Sequence, residues 1–224
     1  VRSVNVLGYL EGSDLKDELV VYSAHYDHIG LTTDGGADKV NNGADDDGSG
    51  TTGVLSIARA YAKAKKAGHG PRRSVLFLMV TGEEKGLLGS EYYASNPVFP
   101  MANTITNLNI DMIGRTGELY KGTADSANYC YLIGSDKLST DLHKISENAN
   151  AVYTKMKIDY KYNDPNDPER IYYRSDHYNF AKNGVPIVFY FNGVHEDYHK
   201  PGDEVSKINF DLLTKRAQLV YYTG

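Results

Sequence analysis

The chain lacks the sequence features of disulfide-rich, membrane-spanning and nucleic-acid-binding proteins. It has one cysteine and no tryptophan in 224 residues, so it forms no internal disulfide. No apolar run reaches the length of a transmembrane helix, so we expect no membrane span in this chain. The net charge is −5 and no basic stripe is present, which argues against nucleic acid as a partner. The chain begins at Val1 without a signal peptide, as expected of a mature or excised fragment.

The composition and the pattern of apolar residues suit one α/β domain over residues 1–224. Hydrophobic residues make up 41% of the chain and charged residues 24%, which is ordinary for a protein with a sizeable core. Apolar runs of strand length alternate with helical patterns, which predicts a sheet covered by helices. The predicted strands cover 4–10, 19–24, 74–80, 104–110, 129–133 and 185–191. The predicted helices cover about 52–67, 139–150, a short segment opening at 175, and the chain from about 210.

Acids and histidines follow the predicted strands at the points where the strands end. His25, the pair Glu83-Glu84, Asp111 and His199 each come after a different strand. Because ligands of open α/β sheets gather at the carboxyl ends of strands, we expect these side chains to meet. This recurrence is the strongest evidence for a metal site that the residues provide.

Three adjacent acids, Asp45, Asp46 and Asp47, precede a Gly-Ser-Gly turn and the first long helix. Crowded carboxylates repel one another unless a cation lies among them, and oxygen-rich sites bind divalent metals. Taken alone, the stretch also suits a polar turn that caps a helix. Together with the residues at the strand ends, it predicts a metal-binding stretch.

His25 and Asp27 project to the same side of an extended chain, and His28 projects to the other. A metal-bound imidazole gives its second N–H to a carboxylate or a carbonyl, so Asp27 is expected to orient His25. The alternative is a pair of loop histidines at a strand end.

Two histidines and three carboxylates supply five donors, more than one tetrahedral zinc accepts. Two metals suit this set if one carboxylate bridges them, and metals about 3.5–4 Å apart can activate a water and polarise a carbonyl together. A further carboxylate would then serve as general base. The pair Glu83-Glu84 offers one residue for each task.

These motifs together resemble those of a known family. The stretches His25-x-Asp27, 43–50, 82–90, Asn109-x-Asp111 and Tyr198-His199 are similar, in order, to those of the co-catalytic dizinc peptidases of metallopeptidase family twenty-eight, the bacterial leucyl-aminopeptidase type. The resemblance implies a three-layer α/β/α sandwich around a mixed, largely parallel sheet. It also implies two Zn²⁺ per chain, a peptide or protein N-terminus as substrate, and a secreted or periplasmic location.

The resemblance assigns a role to each metal-binding position. His25 and Asp111 would bind one zinc, and Glu84 and His199 would bind the other. Asp46 would bridge them, with its two acidic neighbours as the alternatives. The N-terminal peptide bond would be hydrolysed through a hydroxide that bridges the two zinc ions.

The resemblance also implies roles for residues that bind no metal. Glu83 would be the general base, Tyr198 would hydrogen-bond the oxyanion, and Asp27 would orient His25. The stretch 174–177 resembles a further family motif, which places Asp176 and His177 near the site. The loop over 160–174 is Tyr-rich and long enough to cover a site, although a plain surface loop is an equal alternative. The residues expected to contact substrate are Arg174, Tyr160, Tyr162 and Tyr172.

Other functions fit the sequence less well. The stretch 48–53 matches G-x-G-x-x-G, but no strand leads directly into it and three carboxylates precede it. Ser175, Asp176 and His177 are the residue types of a catalytic triad, but sequence neighbours cannot form its relay. An inactive binding relative is disfavoured because all six site positions are filled. A carboxypeptidase, a dipeptidase and a glutaminyl cyclase of the same fold are the remaining alternatives.

Overall fold

A computed structural model describes residues 2–33 and 36–224. The strands are β1 (Val6–Leu10), β2 (Leu15–His25), β3 (Gly30–Leu31), β4 (Val40–Asn41), β5 (Arg73–Val80), β6 (Thr104–Ile110), β7 (Tyr129–Ile133), β8 (Lys157–Asp159) and β9 (Ile187–Phe191). The helices are α1 (Gly48–Lys66), α2 (Leu88–Ser95), α3 (Thr140–Ala149), α4 (His177–Ala181) and α5 (Phe210–Thr223).

The main sheet of the described residues has the strand order β1-β5-β2-β6-β9-β7-β8. Its four central strands, β5, β2, β6 and β9, run parallel to one another. The sheet is mixed because β1 lies antiparallel to β5, and β7 lies antiparallel to β9. The parallel strands therefore end at the same edge of the sheet.

Helices cover both faces of this sheet. Alternate side chains of β2 are buried on opposite faces, so each face needs a covering layer. Val20 points into a core with α1, α3 and α5, whereas Val21 points into a core with α2 and α4. Successive side chains of a strand face opposite sides, so one strand supplies both cores. The predicted three-layer α/β/α sandwich around a mixed, largely parallel sheet is confirmed.

Most predicted elements lie where the apolar patterns placed them. The bounds of β6 and β7 are those predicted, and β1 is the edge strand that residues 4–10 indicated. Helix α1 begins at Gly48 rather than near 52, because the Asp47 side chain accepts a hydrogen bond from Gly50 N and caps it. Strands β3, β4 and β8 were not predicted, since two or three residues are too few to show a period. Within the described residues, none of the helices is both long and apolar enough to span a bilayer.

Candidate metal centre

The residues predicted to bind metal meet at the edge where the central strands end. His25 is the last residue of β2, and Asp111 directly follows β6. Glu83 and Glu84 lie in a short turn that follows β5. The loop after β9 returns over this edge and brings His199 to the group. Segments far apart in sequence thus supply one cluster of imidazoles and carboxylates.

Asp46 lies between the two histidines. Its Oδ1 is 3.2 Å from His25 Nε2, and its Oδ2 is 3.1 Å from His199 Nε2. One oxygen for each imidazole is the arrangement that a bridging carboxylate needs. We call the surroundings of Oδ1 the first half-site and those of Oδ2 the second half-site.

The first half-site contains His25 and Asp111. His25 Nε2 is 3.7 Å from Asp111 Oδ2 and 3.9 Å from Glu83 Oε2. The other ring nitrogen, Nδ1, lies 3.0 Å from the backbone carbonyl of Asp27 and 3.8 Å from its carboxylate. That carboxylate instead accepts a hydrogen bond from the backbone N–H of Glu83. Asp27 therefore contacts His25 chiefly through its carbonyl, and its side chain fixes Glu83.

The second half-site contains Glu84, His199 and also His28. Glu84 Oε2 is 3.1 Å from His199 Nε2, and Glu84 Oε1 is 2.8 Å from His28 Nδ1. The prediction that His28 points away from His25 is wrong. Strand β2 ends at His25, and the extended geometry behind that prediction does not continue to residue 28. The sequence did contain a signal for this residue, namely a second histidine three positions after His25.

Asp47 is bound by the backbone rather than offered to a metal. Its carboxylate accepts hydrogen bonds from the N–H groups of His25, Gly50 and Met112. Donor atoms of His25, Asp47 and Asp111 lie within 4.8 Å of one another, but Asp47 Oδ1 accepts two of these bonds and Oδ2 the third, whereas Asp46 Oδ2 accepts none. The geometry thus favours Asp46 over Asp47 as the bridging residue.

Asp45 is also held by protein groups. Its Oδ1 accepts a hydrogen bond from Gly114 N, and its Oδ2 lies 3.1 Å from His195 Nε2. The buried carboxylate of Asp203 accepts from the backbone N–H groups of Asp45 and Asp46. Of the three acids, Asp46 is the one whose side chain lies beside both His25 and His199.

The donor atoms fit divalent metal ions. His25 Nε2 and Asp46 Oδ2 are buried and have no hydrogen-bond partner in the described part of the chain. A buried polar group without a partner costs about 1–3 kcal/mol, and more if it is charged. Imidazole nitrogens and carboxylate oxygens are the donors that zinc accepts. A cation at each half-site would satisfy these atoms and neutralise the carboxylates.

The model of "Peptidase family M28" matches residues 5–224. The chain belongs to this family. The resemblance to family twenty-eight that the motifs indicated is therefore confirmed.

Several relatives of this chain are named aminopeptidases. Aminopeptidase YwaD of Bacillus subtilis (strain 168) is 25% identical over 234 residues, which cover 97% of this chain and 43% of the relative. Leucine aminopeptidase 1 of Penicillium rubens is 27% identical over 210 residues, which cover 91% of this chain and 51% of the relative. The chain spans about half the length of these curated relatives.

Solved structures share the fold of this M28 chain. A zinc aminopeptidase from Bacillus subtilis has a TM-score of 0.73 at 23% identity, with 98% of this chain and 48% of that chain covered. A glutaminyl cyclase from Porphyromonas gingivalis has a TM-score of 0.70 at 19% identity, with 98% of this chain and 76% of that chain covered. At these identities the likeness shows the fold alone.

The half-sites of the M28 chain shift the pKa values of their own groups. Burial raises the pKa of Glu83 to about 9, and the nearby Asp111 carboxylate contributes. Asp46 and Glu84 raise the pKa of His199 to about 10. Although burial opposes it, the imidazoles of His199 and His25 hold the pKa of Asp46 well below its usual value. A bound cation favours carboxylate and neutral imidazole, so metal binding would release protons here.

A cavity of about 30 Å³ opens onto the cluster. Arg174 Nη2 donates to the hydroxyl of Tyr198 across 3.3 Å, and burial raises the pKa of that phenol, so it stays protonated. The walls combine the polar cluster with apolar side chains. The lining residues are Asp46, Glu83, Asp111, Met112, Ile171, Arg174, Phe189, Phe191, Val194 and Tyr198.

The tyrosines predicted to contact substrate do not line this cavity. Tyr162 is buried in a core with Tyr131, and the Tyr160 hydroxyl donates to the Glu147 carboxylate. Tyr172 faces a separate groove, where the ammonium of Lys137 lies over its ring. Their abundance in the sequence did not show which way each ring faces. Of the predicted substrate-binding residues, only Arg174 reaches the cavity.

Ser175 contacts a metal-binding candidate, whereas the two residues after it do not. Ser175 Oγ donates to Asp111 Oδ2 across 2.7 Å. Asp176 is fully buried and accepts from Ser90 Oγ instead, and burial raises its pKa to about 7. His177 stacks on a core phenylalanine, and burial lowers its pKa to about 3. Sequence reasoning included Ser175 in the motif over 174–177 but gave it no role, because a serine hydroxyl does not show from sequence which carboxylate it will contact.

Proposed function

We propose that this chain is the catalytic domain of a dizinc aminopeptidase that hydrolyses the peptide bond next to a free N-terminus. The observation that carries the proposal is the position of Asp46, with one carboxylate oxygen beside each of two histidines. Membership of a peptidase family supports hydrolysis of peptide bonds. The names of relatives and of a structural neighbour support zinc and the aminopeptidase direction.

Each half-site would hold one zinc ion. His25 and Asp111 would bind the first, Glu84 and His199 would bind the second, and Asp46 would bind both. When bound, a pair of zinc ions activates water and polarises the scissile carbonyl. The remaining chemistry falls to groups of this chain.

Glu83 would move the protons. Its carboxylate lines the cavity, and its backbone N–H is fixed by Asp27. It would take a proton from the attacking water and deliver it to the leaving amine. Bound zinc would lower the pKa of Glu83 that burial raises here, so that the carboxylate is ionised and can accept the proton of the water.

Tyr198 would stabilise the carbonyl oxygen as negative charge develops on it. The phenol lines the same cavity as Glu83 and stays protonated, so it can donate a hydrogen bond. The apolar side chains of Met112, Ile171 and Phe189 form the other wall, which suits an uncharged side chain on the N-terminal residue.

Pairs of substrates that differ only in whether the N-terminus is free or blocked test the direction of cleavage. We expect hydrolysis of aminoacyl-nitroanilides that have a free amino group, and none when the same amino group is acetylated. Peptides with a blocked N-terminus and a free C-terminus should stay intact. Cleavage of the blocked peptides would favour the carboxypeptidase alternative, and equal rates on free and acetylated substrates would refute an aminopeptidase.

A peptide that begins with glutamine tests the glutaminyl cyclase alternative, which rests on one structural neighbour of the same fold. An aminopeptidase releases free glutamine from such a peptide, whereas a cyclase releases ammonia and leaves the peptide uncleaved. Mass spectrometry separates these products. A secreted or periplasmic location stays a prediction.

A further inference from the structure

His28 lies against the second half-site but has no role in the proposed function. Its side chain is 10% exposed. Its Nδ1 is 2.8 Å from Glu84 Oε1 and 3.9 Å from Asp46 Oδ2. Neither of its ring nitrogens meets hydrogen-bond geometry with a partner among the described residues. An imidazole this close to a metal-binding carboxylate either binds the metal or holds the carboxylate.

The distances distinguish these two roles. Two ligands of one tetrahedral zinc lie roughly 3.3 Å apart, since each is about 2.0–2.1 Å from the metal. His199 Nε2 suits this geometry, because it lies 3.1 Å from both Asp46 Oδ2 and Glu84 Oε2. The 2.8 Å from His28 Nδ1 to Glu84 Oε1 is shorter than this spacing between ligands and lies within the N–H···O range, although the N–H is not aligned for a hydrogen bond. The two imidazoles also face different oxygens of Glu84.

Packing on both sides holds the His28 ring in this position. A Cβ built on Gly43 would lie 2.6 Å from His28 Cγ, so the ring can approach only because residue 43 is a glycine. The ring of His199 meets it edge-on, with the centroids 5.8 Å apart. The contact between His28 Nδ1 and Glu84 Oε1 is therefore a close polar contact that this packing maintains.

We propose that His28 is a positioning residue for Glu84, which sets the zinc affinity of the second half-site without binding the metal itself. The proposal rests on the dizinc function proposed above. A donor on Oε1 fixes the rotation of the carboxylate, which keeps Oε2 directed at the metal beside His199. Partners of this kind orient metal ligands, and their loss weakens binding.

Two substitutions separate the hydrogen bond from the bulk of the ring. His28→Leu removes the donor and keeps an apolar side chain of moderate size. His28→Asn places an amide N–H near the position of imidazole Nδ1. His69→Leu is the control, because His69 is an exposed loop residue. The melting temperatures of the metal-free variants show whether each one folds.

Zinc affinity is measured by chelator competition in two backgrounds that isolate the half-sites. His25→Ala leaves the second half-site, and Glu84→Ala leaves the first. In the His25→Ala background we expect His28→Leu to weaken zinc binding by about 10–100-fold, and His28→Asn to restore most of the loss. In the Glu84→Ala background His28→Leu should have no effect. His69→Leu should have no effect in either.

Three results would overturn the role of His28. They are an unchanged affinity in His28→Leu, an equal loss in both backgrounds, and no recovery in His28→Asn. X-ray absorption of the unmodified chain with two zinc ions should show an average of one imidazole per zinc, and a higher average would make His28 a ligand. If the unmodified chain binds no zinc, the proposed function fails as well. If it binds two and His28→Leu binds them equally well, only the His28 proposal fails.

Discussion

Ser175 Oγ donates a 2.7 Å hydrogen bond to Oδ2 of Asp111, the same oxygen that faces His25. This bond ends a buried chain of side chains that starts inside the sheet. Ser23 Oγ donates to Asn109 Oδ1, and Asn109 Nδ2 donates to Ser175 Oγ. The orientation of the Asp111 carboxylate is therefore set by the core of the protein.

Ser175→Ala should weaken zinc binding at the first half-site by about 10–100-fold, because Asp111 loses the donor that orients it. Chelator competition measures the affinity. Ser90→Ala is the matched control, since Ser90 donates the same kind of bond to the buried carboxylate of Asp176. Both variants should lose roughly 1–3 kcal/mol of unfolding free energy, but Ser90→Ala should keep its zinc affinity. Equal zinc affinity in the two variants would contradict this role for Ser175.

Glu83→Gln should keep both metals and lower kcat by about 10²–10⁴-fold, because the amide cannot accept a proton from water. Metal content and turnover are measured on the same preparation. The neighbouring Glu84→Gln is the comparison, and it should lose zinc from the second half-site. Turnover close to that of the unmodified chain in Glu83→Gln would show that another group is the base.

Removal of metal by a strong chelator should abolish hydrolysis and lower the melting temperature, and added zinc or cobalt should restore both. A ligand that binds only the folded state stabilises it, by about 2.7 kcal/mol at 100 times its Kd. Scanning calorimetry with and without chelator measures the shift. Hydrolysis that continues unchanged in chelator would exclude the metal mechanism.

His177 should make the metal-free protein less stable in acid. Burial lowers the pKa of His177 to about 3 from an ordinary value of 6.5. Between these values the unfolded chain binds a proton that the folded chain does not. The contribution of His177 to the free energy of unfolding is therefore complete above the unfolded pKa. It falls as pH decreases towards the folded pKa, by at most about 1.4 kcal/mol per pH unit.

Urea unfolding of the metal-free chain and of His177→Gln, between about pH 4 and 7, tests this contribution. Gln can still donate to the carbonyl of Tyr172, which His177 Nε2 contacts at 2.7 Å, but it does not titrate. The unmodified chain should lose stability faster than the variant as pH falls. A stability difference that is the same at every pH would contradict a buried neutral His177.

Sequence patterns predicted the fold well where burial alone decides the structure. Strand β7 is an apolar run between Asn128 and Gly134, so its limits were clear, and β6, which mixes apolar residues with threonine and asparagine, ends directly before Asp111. The metal-binding candidates were found because His25 and Asp111 each follow a predicted strand, and parallel strands bring such ends together. His28 was predicted to point the wrong way and Ser175 was given no role, because neither residue lies in a regular strand. Their positions depend on how irregular segments turn after a strand or before a helix, and local periodicity carries no such information.

The carboxylate of Asp47 joins the end of β2, the start of α1 and the segment after β6 through three backbone N–H groups. Every donor and acceptor of this junction is a protein group. These bonds hold together the three segments that carry His25, Asp46 and Asp111, so protein hydrogen bonds set the spacing of the metal-binding side chains. Zinc uptake should consequently depend on pH, because the ligands lose protons on binding, and should leave the fold the same.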